Sequence, residues 1–258
     1  MSLPLDPQRV RDAFPAFSEP SLKDFAFFEN AGGSYTSGAV LDRLTAYYRR
    51  TKVQPYGAYP ASIAAGEAMD EAHRRLAQAL NVGTDWIHIG PSTSANTYSL
   101  AHAFEAWLKP GEAIVVTNQD HEANSGVWRK LSARGIEIRE WAIDKDTGHL
   151  DLAQLDKLLD SKVRMVCMPH ASNIVGEINP VADVAKRAKS YGAVTVVDGV
   201  SYAPHGLPDL LSLGCDVYLF SAYKTYGPHQ GVMGTPTWSH SSNRSAMWNP
   251  SWAPTART

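Results

Sequence analysis

Short apolar runs alternate with amphipathic stretches through the middle of the chain. The apolar runs predict strands at Trp86–Ile89, Ala113–Thr117, Ile136–Trp141, Val163–Met168, Ala193–Val197 and Val217–Phe220. The stretches between them predict helices at Ser94–Leu108, Asn124–Arg134, Leu152–Leu159 and Val181–Tyr191. Several strands are apolar at every position, which is typical of a sheet that is covered on both faces. The pattern therefore predicts an α/β fold, with a three-layer, mainly parallel sheet.

The pattern changes towards both ends of the chain. Two further amphipathic helices are predicted before the first strand, at Ser37–Thr51 and Ala61–Leu80. We expect residues 1–25 to form an N-terminal arm and residues 26–234 to form one large domain. From Thr235 onward the chain has no Leu, Ile, Val, Phe or Tyr, although it carries three of the tryptophans. Residues 235–258 are therefore predicted to be an irregular tail, and our hypothesis is a shifted reading frame after about Met233.

Composition and charge exclude several classes of protein. The 258 residues are 44% hydrophobic and carry a net charge of −2, which indicates no electrostatic footprint for nucleic acid or anionic lipid. Two cysteines exclude a disulfide framework and a cysteine-rich zinc module. The N-terminus has no apolar signal region, and no apolar run approaches the length of a membrane span. These features predict a soluble cytoplasmic protein whose partner is a small molecule.

Ligands of parallel sheets lie beyond the carboxyl ends of the strands, so the residues there are candidates. The first strand is followed by a Ser-Thr-Ser run that includes Thr93 and Ser94 and opens a helix. Such hydroxyls either cap the helix or, with its free N–H groups, bind a phosphate. Capping is the commoner role of such a run. Neither of the glycine-rich nucleotide-binding motifs is present in the chain.

An acid–His–acid run, centred on His121, follows the second strand. Three interpretations remain open here. The run could ligate a metal, although no further ligands at suitable spacing are evident nearby. It could be a polar loop that caps the next helix through Asn124. Alternatively, the flat imidazole of His121 could stack on a planar ring.

Three further strand ends carry polar side chains. Asn173 is either a turn residue or an amide donor aimed into the cleft. Asp198 directly follows an apolar strand, where a carboxylate needs a cation or a ligand unless it only serves a turn. Lys224 also follows an apolar strand, and a lysine held in a cleft can lose its proton and form a Schiff base with a carbonyl. A phosphate seat, a ring stacker, a carboxylate and a lysine together are the parts that pyridoxal 5′-phosphate requires.

The residues around these strand ends resemble a known family, the cysteine desulfurase-like branch of the class V aminotransferases. The resemblance covers about residues 27–234, and these relatives are pyridoxal phosphate enzymes of fold type I. The segments that carry it are FFENAGG, DHEANSGVW, HASNIVGEINP, VVDGVSYAPHG and FSAYKTYGPHQGV, at residues 27–33, 120–128, 170–180, 196–206 and 220–232.

The resemblance implies a role for each candidate residue. Lys224 would form the Schiff base and then shuttle protons, Asp198 would pair with the pyridine nitrogen, and His121 would stack on the ring. Asn173 would hydrogen-bond the phenolic oxygen of the cofactor. The phosphate and the remaining edge of the cofactor would be held by Thr93, Ser94, Ser201, Ser221 and Tyr223. No metal is implied.

Three departures from the family pattern bear on function. Ser201 stands where well-known desulfurases have Gln, and Tyr223 stands where they have His. As the third departure, no segment of the chain resembles the family's C-terminal domain, which carries the substrate-binding arginine and the sulfur-accepting cysteine, and we expect that domain to be absent. Cys167 and Cys215 lie in or beside predicted strands, where a buried role is expected.

The resemblance implies cysteine desulfurase-like carbon–sulfur cleavage on an amino acid, by a homodimer. Two alternatives remain open. One is a class V aminotransferase or epimerase on the same scaffold, because fold and cofactor do not determine the substrate. The other is a truncated, non-catalytic fragment that at most binds the cofactor.

Overall fold

The structure is a computed structural model of the chain, and it describes residues 5–236. Its centre is a seven-stranded sheet with the order β1-β7-β6-β5-β4-β2-β3. The strands are β1 Ile87–Gly90, β2 Ala113–Thr117, β3 Glu137–Trp141, β4 Val163–Pro169, β5 Val194–Asp198, β6 Val217–Ser221 and β7 Gly231–Gly234. The strands from β2 to β6 pair in parallel with one another, whereas β7 lies between β1 and β6 and is antiparallel to both. The predicted α/β fold with a mainly parallel sheet is therefore confirmed.

Helices cover both faces of this sheet. They are α1 Pro7–Asp12, α2 Gly38–Ala46, α3 Pro60–Leu80, α4 Thr93–Glu105, α5 Glu122–Arg129, α6 Leu152–Leu158, α7 Val181–Ser190 and α8 Leu210–Leu213. Alternate residues of β2 belong to two separate buried clusters, as expected when successive side chains point to opposite faces. One cluster includes residues of α6 and α7, and the other includes residues of α4 and α5. Among the described residues, no helix combines the length and the apolar character needed to cross a membrane.

The elements that the sequence missed are short. β7 has only two apolar residues between glycines, so it shows no periodicity, and its pairing with β1 and β6 comes from the assembled sheet. α1 and α8 span about one turn each and give too little pattern to detect. The helix predicted at Asn124–Arg134 is α5 followed by a 3-10 turn at Lys130–Arg134. The predicted tail lies, from residue 237 onward, outside the described residues, and the division into arm, domain and tail stays a prediction.

Gly231 allows β7 to lie against the start of α4. A Cβ at this position would approach the Ser92 carbonyl carbon and the Thr93 nitrogen to 2.3 Å each. Real Cβ atoms do not come so close to backbone, so a larger residue would have to move β7 or the helix start. Glycine at this position therefore allows the start of α4 to pack directly against β7.

We expect Gly231→Ala to lower the free energy of unfolding by about 1–3 kcal/mol, as overpacking in a rigid site usually does. Chemical denaturation measures this difference. The matched control is Gly83→Ala, where the nearest atoms to a new Cβ are 3.7 Å away and leave room for a methyl group. Equal effects of the two substitutions would contradict the close-approach argument.

Candidate active site

All of the side chains predicted for the site line one open pocket. The pocket lies at the carboxyl ends of the parallel strands, because it is lined by residues at or just after the ends of β2, β4, β5 and β6. Its lining residues are Thr93, Ser94, Asp120, His121, Ala123, Pro169, Ala171, Asn173, Asp198, Val200, Ser201, Ser221, Tyr223 and Lys224. The sequence did not single out Asp120 by itself, nor the apolar members of this set.

Lys224 lies in the 3-10 turn Ala222–Thr225 that directly follows β6, and only 7% of the residue is exposed. Burial lowers the pKa of its ammonium, while the nearby carboxylates of Asp198 and Glu29 act in the opposite direction. A residue near the N-terminus of the chain holds this turn: the Ser34 hydroxyl donates a hydrogen bond to the Lys224 carbonyl over 3.1 Å. Lys224 is therefore a fixed amine that loses its proton more readily than a surface lysine.

Asp198 is the last residue of β5, and its carboxyl group is buried beside the pocket. Burial raises its pKa, while a hydrogen bond from the Val200 amide and the electrostatic effects of His121 and Lys224 partly offset that rise. The Val200 N–H donates to Asp198 Oδ1 over 2.8 Å, so the side chain also orders the turn. Both interpretations made from the sequence, a turn residue and a ligand-facing acid, fit this position.

The start of α4 supplies hydroxyl groups to the pocket. Thr93 and Ser221 are buried, and their hydroxyl oxygens lie 2.7 Å apart in a hydrogen bond. Ser92 caps the helix by accepting from the Ala95 amide, so the predicted capping role belongs to the first serine of the run. Because Ser92 fulfils that role, Thr93 and the exposed Ser94 remain available to an anion at the positive end of the helix.

The other predicted residues form the rim of the pocket. His121 is exposed, whereas Asn173, Ser201 and Tyr223 are half-buried. The ring of Tyr223 stacks on the imidazole of His229 with their centres 4.8 Å apart and an angle of 5° between planes. A flat ligand that entered the pocket would thus meet polar groups from several different strand ends.

The interpretation of Asn124 as the helix cap was wrong. His121 is the N-cap of α5, and its Nδ1 accepts a hydrogen bond from the Ala123 amide over 3.1 Å. Asn124 lies inside the helix, almost fully buried, because the helix begins at Glu122 rather than at Asn124. Over residues 5–236, no cluster of three or more His, Cys, Asp or Glu side chains is arranged to hold a metal ion.

Asp120 is a second carboxyl group of the pocket. It follows β2 by three residues and accepts hydrogen bonds from the His121 amide and from the Asn124 side chain. Burial and the neighbouring charge of Asp198 raise its pKa well above the ordinary range. The available sequence signal for Asp120 is its place directly before His121 in the acid–His–acid run.

Comparisons with known proteins show the family of the chain. The family model described as Aminotransferase class-V matches residues 26–233. The aminotransferase-like protein FGM3 of Gibberella zeae is 38% identical over 233 residues, which are 88% of this chain and 56% of that protein. A cysteine desulfurase of Serratia proteamaculans is 32% identical over 233 residues, which are 88% of this chain and 57% of that protein.

A solved structure has a similar fold. The apo structure of a cysteine desulfurase from Thermococcus onnurineus NA1 superposes with a TM-score of 0.83 and 25% identity, covering 92% of this chain and 58% of that one. The chain thus spans little more than half the length of the relatives that it matches. The matched family segment includes every predicted site residue and most of the chain, and the protein therefore belongs to the class-V aminotransferase family.

Proposed function

We propose that this chain is a pyridoxal 5′-phosphate-dependent protein that acts on an amino acid, with cysteine desulfurase-like carbon–sulfur cleavage as the reaction. Class-V aminotransferases and cysteine desulfurases use this cofactor. The observation that carries the proposal is the meeting of buried Lys224 and buried Asp198 in one pocket beside the hydroxyls of Thr93 and Ser221. An amine, an acid and a pair of hydroxyl groups at the ends of three strands suit the aldehyde, the ring nitrogen and the phosphate of this cofactor.

The side chains of the pocket match the groups of the cofactor. Asp198 is proposed to hold the proton on the pyridine nitrogen, and His121 to cover one ring face. Asn173 and Ser201 would contact the polar edge of the ring, with Asn173 at the phenolic oxygen. The phosphate would be bound at the start of α4 and after β6, by Thr93, Ser94, Ser221 and Tyr223.

The chemistry of the chain itself centres on Lys224. When bound, pyridoxal 5′-phosphate supplies an aldehyde that bonds to amines and a ring that withdraws electrons. Burial lowers the pKa of Lys224, so its neutral amine is more available as a nucleophile than that of a surface lysine. With a substrate in the pocket, the same Lys224 amine would remove and return the proton on the substrate Cα.

The direct test is to add pyridoxal 5′-phosphate to the purified chain and to look for a visible absorption band. Borohydride should then attach the cofactor permanently, and peptide mapping should find it on Lys224. No band and no adduct would refute the cofactor proposal. An adduct on another lysine would refute the role of Lys224 and leave binding in place.

A second candidate, cofactor binding without sulfur transfer, is favoured by the state of the cysteines. The sequence contains only Cys167 and Cys215, and both are buried free thiols. Burial raises the pKa of each, that of Cys215 to about 12, so neither forms the thiolate that would accept sulfur. Assays of alanine formation and of sulfide release from cysteine, run with a thiol reductant that takes up the sulfur, distinguish these cases, because a holo chain that forms neither product is a cofactor-binding chain only.

Homodimer formation and a cytoplasmic location are also part of the proposal. Family members are typically dimeric. The segment from α2 to the start of α3 exposes several aromatic rings, including Tyr47, Tyr48, Tyr56 and Tyr59, which is typical of an interaction surface. Analytical ultracentrifugation should give twice the chain mass of 28.2 kDa. Sedimentation as a monomer at all concentrations would contradict this prediction.

A further inference from the structure

A row of hydrogen bonds runs from the pocket into the core along one side of α5. The Asn124 side-chain amide donates to Asp120 Oδ2, and the Trp128 indole N–H donates to Asn124 Oδ1 over 3.3 Å. These residues are four apart, so they lie above one another on the helix. The row begins at the residue directly before His121.

We infer that Asn124 and Trp128 are positioning residues, which fix His121 at the pocket by way of the Asp120 carboxyl group. None of the proposed roles in cofactor binding uses Asn124 or Trp128. The part of this inference that concerns cofactor affinity rests on the proposed function, whereas the part that concerns the orientation of His121 does not.

The backbone of His121 is held on one side by the Asp120 carboxyl group and on the other by backbone amides of α5. Its N–H donates to Asp120 Oδ1 over 2.8 Å. Its carbonyl accepts from the amides of Asn124 and Ser125 over 2.9 and 3.0 Å. Asp120 therefore has both oxygens engaged, one by the residue to be placed and the other by Asn124.

The inner end of the row lies in the buried core. Trp128 is fully buried, and its ring packs edge-on against that of Phe104, with centres 6.0 Å apart. Asn124 is only 1% exposed, so its amide has no water to replace a lost partner. By contrast, the His121 ring is exposed, so no surrounding core fixes its position and it depends on the backbone at the N-cap.

The ring of His121 has one defined tautomer in this arrangement. Its Nδ1 accepts from the Ala123 amide, so the proton of the neutral ring is on Nε2. This bond requires the His121 backbone to remain at the N-cap position that Asp120 holds. The tautomer therefore reports on the positioning even when no cofactor is bound.

The first test uses the cofactor-free chain. Nitrogen-15 NMR of the imidazole should show the Nε2–H tautomer for His121 in the wild type and a mixture of tautomers in Asn124→Ala. An unchanged tautomer in folded Asn124→Ala would overturn the inference. Because this variant could fail to fold, Trp128→Phe serves as a second variant, which removes the indole N–H but keeps an aromatic ring in the core.

Trp141→Phe is the matched control for Trp128→Phe. Trp141 is also fully buried, and its indole N–H donates to the Asp151 carbonyl over 2.9 Å, away from the pocket. Both variants should lose stability, but only Trp128→Phe should disturb the His121 tautomer. If both variants disturb it equally, the effect is general loosening, and the positioning role is refuted.

The second test is a double-mutant cycle on the dissociation constant of pyridoxal 5′-phosphate. We expect Asn124→Ala and His121→Ala each to weaken binding by about tenfold, and the double variant by about tenfold rather than a hundredfold. Additive effects would show that Asn124 does not act through His121. Failure of the wild type to bind the cofactor would refute the proposed function instead, and the tautomer would still decide the positioning role.

Discussion

Lys224→Ala should abolish the visible band and the borohydride adduct completely, because no other described lysine lines the pocket. Removing the side chain deletes the amine that would bond to the cofactor aldehyde, whereas the phosphate seat of Thr93 and Ser221 stays in place. The variant is therefore expected to retain weak, non-covalent binding. Absorption spectra and intact-mass measurement after reduction test this directly.

The control for this substitution is Lys189→Ala, because Lys189 lies exposed near the end of α7, outside the pocket. It should form the same band and the same adduct as the wild type. Far-UV circular dichroism should show that both variants are folded. An adduct of normal yield in folded Lys224→Ala would remove Lys224 from the proposed chemistry.

Asp198→Asn should weaken cofactor binding and at the same time stabilise the cofactor-free chain. Without the carboxylate, the protonated pyridine nitrogen loses a charge-assisted hydrogen bond, so we expect a dissociation constant at least about tenfold higher. The folded chain, however, no longer has to bury a carboxylate. Titration with pyridoxal 5′-phosphate and thermal unfolding without it measure the two effects separately.

The gain in stability should depend on pH in a defined direction. The pKa of Asp198 is raised in the folded chain, so the folded state binds this proton more tightly than the unfolded state. Stability is therefore lost as pH rises from the ordinary aspartate pKa through the raised one, and Asn avoids that loss. We expect Asp198→Asn to melt a few degrees higher near neutral pH and to match the wild type near pH 4.

Asp209→Asn provides a control of opposite sign. Asp209 caps α8 by accepting from the Ser212 amide, and that bond, with one from Asn81, lowers the pKa of this carboxyl group. Its contribution to stability is present above the ordinary pKa and is lost as pH falls, so Asn should lower the melting temperature near neutral pH. Destabilisation by both substitutions would contradict the burial argument for Asp198.

Much of the fold could be predicted from the sequence because its strands are strongly apolar. β2, β5 and β6 lie within one residue of the predicted runs, and their unbroken apolar character reflects a sheet covered on both faces. β7 could not be predicted, because its residues acquire strand structure only by pairing between β1 and β6. The need for glycine at position 231 arises from the close approach of β7 to the start of α4.

The candidate site was predictable to the extent that its residues directly follow strands. Lys224 and Asp198 stand out in the sequence as charges placed next to apolar runs. Their predicted roles, like those of the other pocket residues, stay predictions until the cofactor has been tested. The role of Asn124 could not be predicted in this way. A polar residue near a helix start suggested a cap, but Asn124 bonds to Asp120 and Trp128 because the helix begins two residues before it.

Local patterns in the chain already establish the α/β class, six of the seven strands that the structure describes, and which residues follow those six strands. Hydrophobic periodicity and the turn residues at strand ends reflect interactions between residues that are close in the sequence. Only the tertiary structure decides that these separate strand ends form one pocket and that Lys224 and Asp198 are buried in it together. Burial and electrostatic coupling arise between residues far apart in the chain, and the altered pKa values of Lys224, Asp198 and Asp120 follow from them.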